Sequence, residues 1–185
     1  MDGPSDEELM GRVAKGDESA FRTLARRSVP SAIGLARRVL GNAADAEEVV
    51  QEAMLRVWIN APRWRPEAKF RTWLYRVVFN LCLNRKRRAP FADLADAGDP
   101  IDPHPDAAEQ MERNQRDRAI ADAIARLPER QRAAIVLTYH EGLSNADTAD
   151  VLGTTRSAVE TLLVRAKQSL RRQLESLAID EKSGD

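Results

Sequence analysis

Apolar residues recur along most of this chain at the three- and four-residue steps of a helix, and no segment shows the two-residue alternation of a strand. Ser5 and Glu8 have the spacing of a capping box, which predicts a short helix through about Ala14. Asp17 caps a second helix carrying Phe21 and Leu24. Pro30 either interrupts that helix or starts the next one, which carries Ile33, Leu35, Ala36, Val39 and Leu40 and ends at Gly41. Asp45 opens a helix with Val49, Val50, Ala53, Met54, Val57 and Trp58 that stops before Pro62, and residues 61–68 read as a loop. Phe70, Trp73, Leu74, Val77, Val78 and Leu81 then make one apolar stripe on a helix ending before Pro90.

The pattern lapses over residues 89–108, which hold Pro90, Pro100, Pro103 and Pro105 and no core-forming repeat. Fully extended at ~3.3 Å per residue, such a linker reaches up to ~65 Å. Helical spacing resumes from Ala107 to Arg126, with Ile120, Ile124 and Leu127 on one side. Pro128 suits the first turn of a following helix that carries Ala134, Ile135, Leu137 and Thr138 and ends at Gly142. Ser144 caps Asn145 to Leu152, Gly153 turns the chain, and a long helix runs from about Arg156 to Leu177. The expected fold is all-α: two small helical domains, residues 5–88 and 109–177, joined by a flexible acidic Pro-containing linker at 89–108, with a disordered tail at 178–185.

Charge sharpens this division. Lys plus Arg and Asp plus Glu are each 29 of the 185 residues, so the net charge is zero. That excludes a polycation and an acidic tail protein, and 43% hydrophobic with 31% charged residues fits a soluble globular chain. The charge is nevertheless segregated. Residues 63–88 carry nine bases against Glu67 alone, residues 89–112 carry seven acids and no Lys or Arg, and residues 153–172 are net +4. Two basic blocks around an acidic spacer point to two contacts with a polyanion. One cysteine, Cys82, excludes an internal disulfide and a cysteine-rich zinc site, and it reads as a small core residue. The acidic start has no secretory leader, and no apolar run approaches a membrane span, so a cytoplasmic protein without membrane insertion is expected.

Both basic blocks carry recognisable chemistry. Residues 143–159 have the caps, small residue (Ala149) and turn glycine of a helix-turn-helix. The second helix has an inner stripe of Val159, Leu162, Leu163, Ala166 and Leu170, and an outer face of Ser157, Glu160, Thr161, Val164 and Gln168. Recognition helices read bases near their N-terminal end, which singles out Ser157, Glu160 and Thr161, with Glu160 able to accept from a cytosine amino group. Thr155 opens that helix, and Arg156, Arg165, Lys167 and Arg171 flank the face and suit phosphates. Residues 63–88 hold Trp64, Phe70, Trp73, Tyr75 and Phe79, five of the nine aromatics, among Arg65, Lys69, Arg71, Arg76, Arg87 and Arg88. Rings among cations suit single-stranded nucleic acid, although an aromatic stripe on a helix is also what a core contains, as expected of Phe70. Arg76, Asn80, Asn84 and Arg87 share a polar face behind the stripe.

The runs Asp45 to Trp58, Phe70 to Asn80, Leu127 to Arg132 and the helix-turn-helix together resemble an extracytoplasmic-function (ECF) sigma factor of bacterial RNA polymerase, in its minimal form with sigma domains two and four. The resemblance covers about residues 20–177. It implies that Asp45, Glu47, Glu48, Gln51, Glu52, Leu55 and Trp58 dock on core polymerase, with the beta-prime and beta subunits as partners. It implies that Trp64, Arg65, Lys69, Arg71, Trp73, Arg76, Asn80, Asn84, Arg87 and Arg88 read and melt the minus-ten element. Thr155, Arg156, Ser157, Glu160, Thr161, Arg165, Lys167 and Arg171 would read the minus-thirty-five duplex. Many family members carry a base where this chain has Glu160. The acidic linker resembles a segment that threads the polymerase channel, and a passive tether fits its composition equally well. An anti-sigma factor is a further implied partner.

Two other readings compete. A stand-alone helix-turn-helix regulator explains residues 109–177 as well, but neither the aromatic-basic block nor the acidic helix. A helical enzyme has little to draw on: only His104 and His140 occur, with no Glu-x-x-His pair, phosphate loop or nucleophile elbow. No catalytic residue, metal or cofactor is expected.

Overall fold

The computed structural model describes residues 3–88 and 119–182, with side chains described to residue 175. The acidic linker, the predicted helical residues 107–118 and residues 183–185 lie outside this set. Every regular element among the described residues is helical.

Helix α1 (Asp6–Val13) begins at the predicted capping box: the Glu8 N–H donates to Ser5 Oγ (3.1 Å) and the Ser5 N–H to Glu8 Oε2 (2.7 Å). Helix α2 (Glu18–Leu40) starts where Asp17 accepts from the N–H groups of Ser19 and Ala20 and ends at Gly41, whose φ of 76° is the left-handed cap favouring glycine. It runs unbroken through Pro30, where two helices or an interruption were expected. A mid-helix proline costs one ladder bond and a steric clash, ~3 kcal/mol. Here both halves of α2 contribute to one buried stripe (Ala20, Leu24, Ala32, Leu35, Val39) on a helix packed by α1, α3 and α4, so packing holds them in line. Helix α3 (Ala43–Asn60) begins two residues before Asp45, because Asn42 supplies the cap by accepting from the Asp45 N–H. A 3-10 turn, Ala61–Arg63, follows within the expected loop.

At the start of helix α4 (Phe70–Arg88) the Phe70 N–H donates to Glu7 Oε1 in α1 (3.0 Å). That bond holds the Glu7 carboxyl below its ordinary value. The single stripe predicted for α4 is too narrow. Thr72, Tyr75, Phe79 and Cys82 are buried as well, because α4 is packed by α2 and α3 on one side and by the second half of the chain on another.

The second half comprises helical residues 119–125 (α5), α6 (Glu129–Ile135) continuing as a π-turn at Val136–His140, α7 (Asn145–Leu152) and α8 (Arg156–Lys182). Gly142 (φ +67°) ends the π-turn and Gly153 (φ +58°) makes the α7–α8 turn. Ser144 caps α7 by accepting from the Asp147 N–H. The inner stripe of α8 is as expected: Val159, Leu163 and Ala166 are buried, and Leu162 and Leu170 half-buried, against α6 and α7. The helix continues past Leu177 to Lys182. The two halves do not stand apart. Helix α7 lies on α4, and one continuous apolar core runs from Leu9 to Ala166.

Candidate nucleic-acid interface

Two surfaces stand out on α4 and α8. On α4, Arg76, Asn80, Asn84 and Arg87 recur at four-, four- and three-residue steps and are all exposed, as the sequence pattern predicts. None of the four makes a hydrogen bond or ion pair among the described residues, so their donors are open to a ligand. Arg65, Lys69 and Arg88 are also exposed, and Trp64 and Trp73 are half-buried. Each of these two rings therefore keeps part of its surface free while the remainder packs on the core.

The other three rings do not join them. Phe70 and Tyr75 are 0% exposed and Phe79 is 1% exposed. They are core, and of these five rings only Trp64 and Trp73 keep exposed surface. Burying a ring of this size stabilises by ~1.5–3 kcal/mol, which exposure to a ligand would forfeit. Arg71 is also diverted: its Nη2 donates to the Glu141 carbonyl oxygen (2.6 Å) and to Glu141 Oε2 (3.1 Å). The Tyr75 hydroxyl donates to the same carboxylate oxygen, and burial followed by that contact pushes the phenol above its ordinary value. Burial also pushes the Cys82 thiol up to about 12, which leaves it inert in the core.

On α8, Ser157, Glu160, Thr161, Val164 and Gln168 form an exposed strip flanked by Arg165 on one side and Arg156 and Lys167 on the other. Thr155 Oγ1 accepts from the Ala158 N–H (3.2 Å), so this residue serves as a helix cap. Arg156 Nε donates to Glu160 Oε1 (3.0 Å) and Lys167 lies over the Tyr139 ring (4.8 Å). Tyr139, 57% exposed beside this face, had no signature in the sequence.

The acidic helix α3 divides into two strips. Glu47, Gln51, Leu55 and Trp58 line an apolar groove of about 550 Å³ with Phe21, Val29, Ile33, Val50 and Met54. Leu55 in this lining is 57% exposed, and Ile59, one turn further along α3, is 62% exposed. The Trp58 ring meets Phe21 edge-on at 5.2 Å. Asp45, Glu48 and Glu52 face α4 instead. Arg85 bridges Asp45 (2.6 Å) and Glu48 (2.6 Å), and Glu52 pairs with Arg56 (2.6 Å). Arg85, counted in the basic block, thus ties α4 to α3. Ile59 was missed because it lies off the α3 stripe, where a lone isoleucine carries no pattern.

No helix among the described residues is long and apolar enough to cross a membrane, and none of their His, Cys, Asp and Glu residues cluster as a metal site.

Residues 24–90 match the model of Sigma-70 region 2 and residues 117–170 that of Sigma-70, region 4. The chain is 38% identical over 173 residues to the ECF RNA polymerase sigma factor SigM of Mycobacterium tuberculosis, covering 92% of this chain and 85% of that one. It is 32% identical over 181 residues to the ECF RNA polymerase sigma factor SigW of Bacillus subtilis, covering 90% and 95%. Among solved structures, CnrH in complex with the cytosolic domain of CnrY aligns with a TM-score of 0.71 at 26% identity, covering 94% of this chain and 99% of that one. Bartonella quintana RpoE, solved with the anti-sigma factor NepR, shares the fold at a TM-score of 0.66 and 19% identity, covering 84% and 96%.

Proposed function

The chain belongs to the ECF sigma factors of bacterial RNA polymerase, and from that premise we propose how its surfaces divide the work of promoter-specific initiation. Residues 5–88 form the unit that binds core polymerase and opens the minus-ten element. Residues 109–177 form the unit that reads the minus-thirty-five duplex, and 89–108 connect them. The observation that carries this reading is the exposed file Arg76, Asn80, Asn84 and Arg87 beside the half-exposed Trp64 and Trp73. A ring takes an unpaired base, and the cations and amides take the phosphates and base edges of the same strand. Stacking recovers ~1–3 kcal/mol per captured base, which offsets the cost of unstacking it from the duplex.

The groove-side strip of α3, Glu47, Gln51, Leu55 and Trp58, is the part of the acidic helix that docks on the beta-prime subunit. Its apolar floor supplies affinity and its polar edge supplies register. On α8, Ser157, Glu160 and Thr161 face the bases, while Arg156, Arg165, Lys167 and Arg171 hold phosphates. Pairing with Arg156 uses Oε1 of Glu160, and the second oxygen is left for a cytosine amino group. The protein acts in the cytoplasm, contributes specificity while the polymerase supplies all the chemistry, and is held inactive by an anti-sigma factor, the kind of partner with which Bartonella quintana RpoE was solved.

The test is in vitro transcription with core polymerase on a genomic promoter library. Start sites that require both core and this protein support the reading. Binding of an operator by the chain alone, with no core-dependent start site, would instead indicate a stand-alone regulator.

A further inference from the structure

A carboxylate belongs in water unless partners replace that water, and the Glu141 side chain is only 6% exposed. Its strong partners come from the other half of the chain, 70 and 66 residues away: Arg71 and Tyr75, one turn apart on α4. His140 Nε2 lies 3.9 Å from Glu141 Oε1. Beside this cluster Thr72 Oγ1 lies 3.3 Å from Asp147 Oδ1. Further along α4, Lys86 Nζ lies 3.4 Å from Glu129 Oε1. Apart from the His140 contact, these join α4, the proposed strand-reading helix, to the helix-turn-helix half.

This packing conflicts with gripping a promoter. The two elements lie about 25 base pairs apart, roughly 85 Å of duplex at ~3.4 Å per step. Helices α4 and α7 touch through side chains 3.3 Å apart. The two halves must separate before both elements are held at once. Separation would also free Arg71, which Glu141 now occupies.

We propose that Glu141 is an intramolecular latch: by binding Arg71 and Tyr75 it holds the unbound chain closed, withholds Arg71 from DNA, and must let go when the chain engages polymerase and promoter. The latch stands on the geometry above, and its consequence for initiation rests on the promoter-binding reading. A closed majority lowers apparent affinity for DNA in proportion to the open fraction, so weakening the latch raises that affinity.

The test uses the full chain with spin labels at Arg22→Cys on α2 and Asp150→Cys on α7, both exposed positions; the buried Cys82 stays unlabelled. Double electron–electron resonance on the free protein should give one short, narrow distance, replaced by a long one in holoenzyme on promoter DNA. Glu141→Gln removes the charge, and Tyr75→Phe removes only the hydroxyl while keeping the ring in the core. Each should raise the open-to-closed ratio of the free chain about tenfold, the scale of one hydrogen bond to a charged group. Core-free affinity for a promoter fragment should rise in step. A long or broad distance in the free wild-type chain would overturn the latch, whatever the variants do. So would a narrow wild-type distance that neither variant changes. Core-dependent transcription, assayed on the same samples, reports separately on the promoter-binding reading, which can fail while the distances behave as proposed.

Discussion

Helices α4 and α8 are both basic and amphipathic, and they differ in how many neighbours they have. Helix α8 rests on α6 and α7 along one stripe, so its opposite face is free and its sequence pattern reads directly as inside and outside. Helix α4 is packed by α2 and α3 and also by α7, so two arcs of its surface are buried. Aromatic content therefore means different things at different positions of α4. Phe79 is a core residue, while Trp73, six positions earlier, is half open to solvent. A periodicity argument finds one buried stripe; a second, contributed by a distant part of the chain, stays hidden until the fold is known.

Substitutions can break or sharpen this contrast. The largest effect is expected from Phe79→Ala. Truncating a fully buried ring costs ~3–5 kcal/mol, read as a lower denaturation midpoint with loss of both DNA contacts. If stability held and only strand opening failed, the ring would be a stacking surface and the two-sided burial of α4 would be wrong.

Next is Glu160→Gln on α8. A single base-edge contact discriminates by ~1–3 kcal/mol, so preference at one position of the minus-thirty-five duplex should shift by roughly five- to 150-fold in a binding-site selection, with little change in stability. Lys167→Ala should act differently. Losing one phosphate contact weakens all sequences alike and reduces the slope of log affinity against log salt by ~1. A sequence-dependent effect there would move Lys167 from the backbone set to the base-reading set.

The smallest effect is expected at the start of α4. Glu7→Gln removes the carboxylate that accepts from the Phe70 N–H. Because folding lowers the Glu7 pKa from its ordinary 4.5, its contribution is present above that value and fades as pH falls through the folded value. The variant should melt about 2–4 °C lower than wild type at neutral pH, and the gap should close in acid. A pH-independent gap would mean that the carboxylate charge is not what holds this helix end.

Local chemistry made much of the molecule legible. The Ser5–Glu8 box, the Asp17 and Ser144 caps, Gly41 and Gly153 all act over three or four residues, and each occurs where its sequence signature lies. The exposed file on α4 and the exposed strip of α8 were legible for the same reason, since helical spacing alone sets them. Glu141 was not, because nothing near it in the chain marks a glutamate whose partners are 66 and 70 residues away. Arg85 looked like any other base of its block, and only the approach of α3 turns it into a clasp for Asp45 and Glu48. Pro30 misled because the breaker rule is local, whereas the continuity of α2 comes from tertiary packing.

The proposal for α4 is tested most directly by permanganate reactivity of unpaired thymines in promoter complexes of holoenzyme carrying Trp73→Ala or Asn80→Ala. The account predicts normal assembly with core polymerase and a minus-ten region that stays unreactive, or nearly so, in both variants. Wild-type reactivity in both would contradict it, since single-stranded DNA would then be held by some other surface.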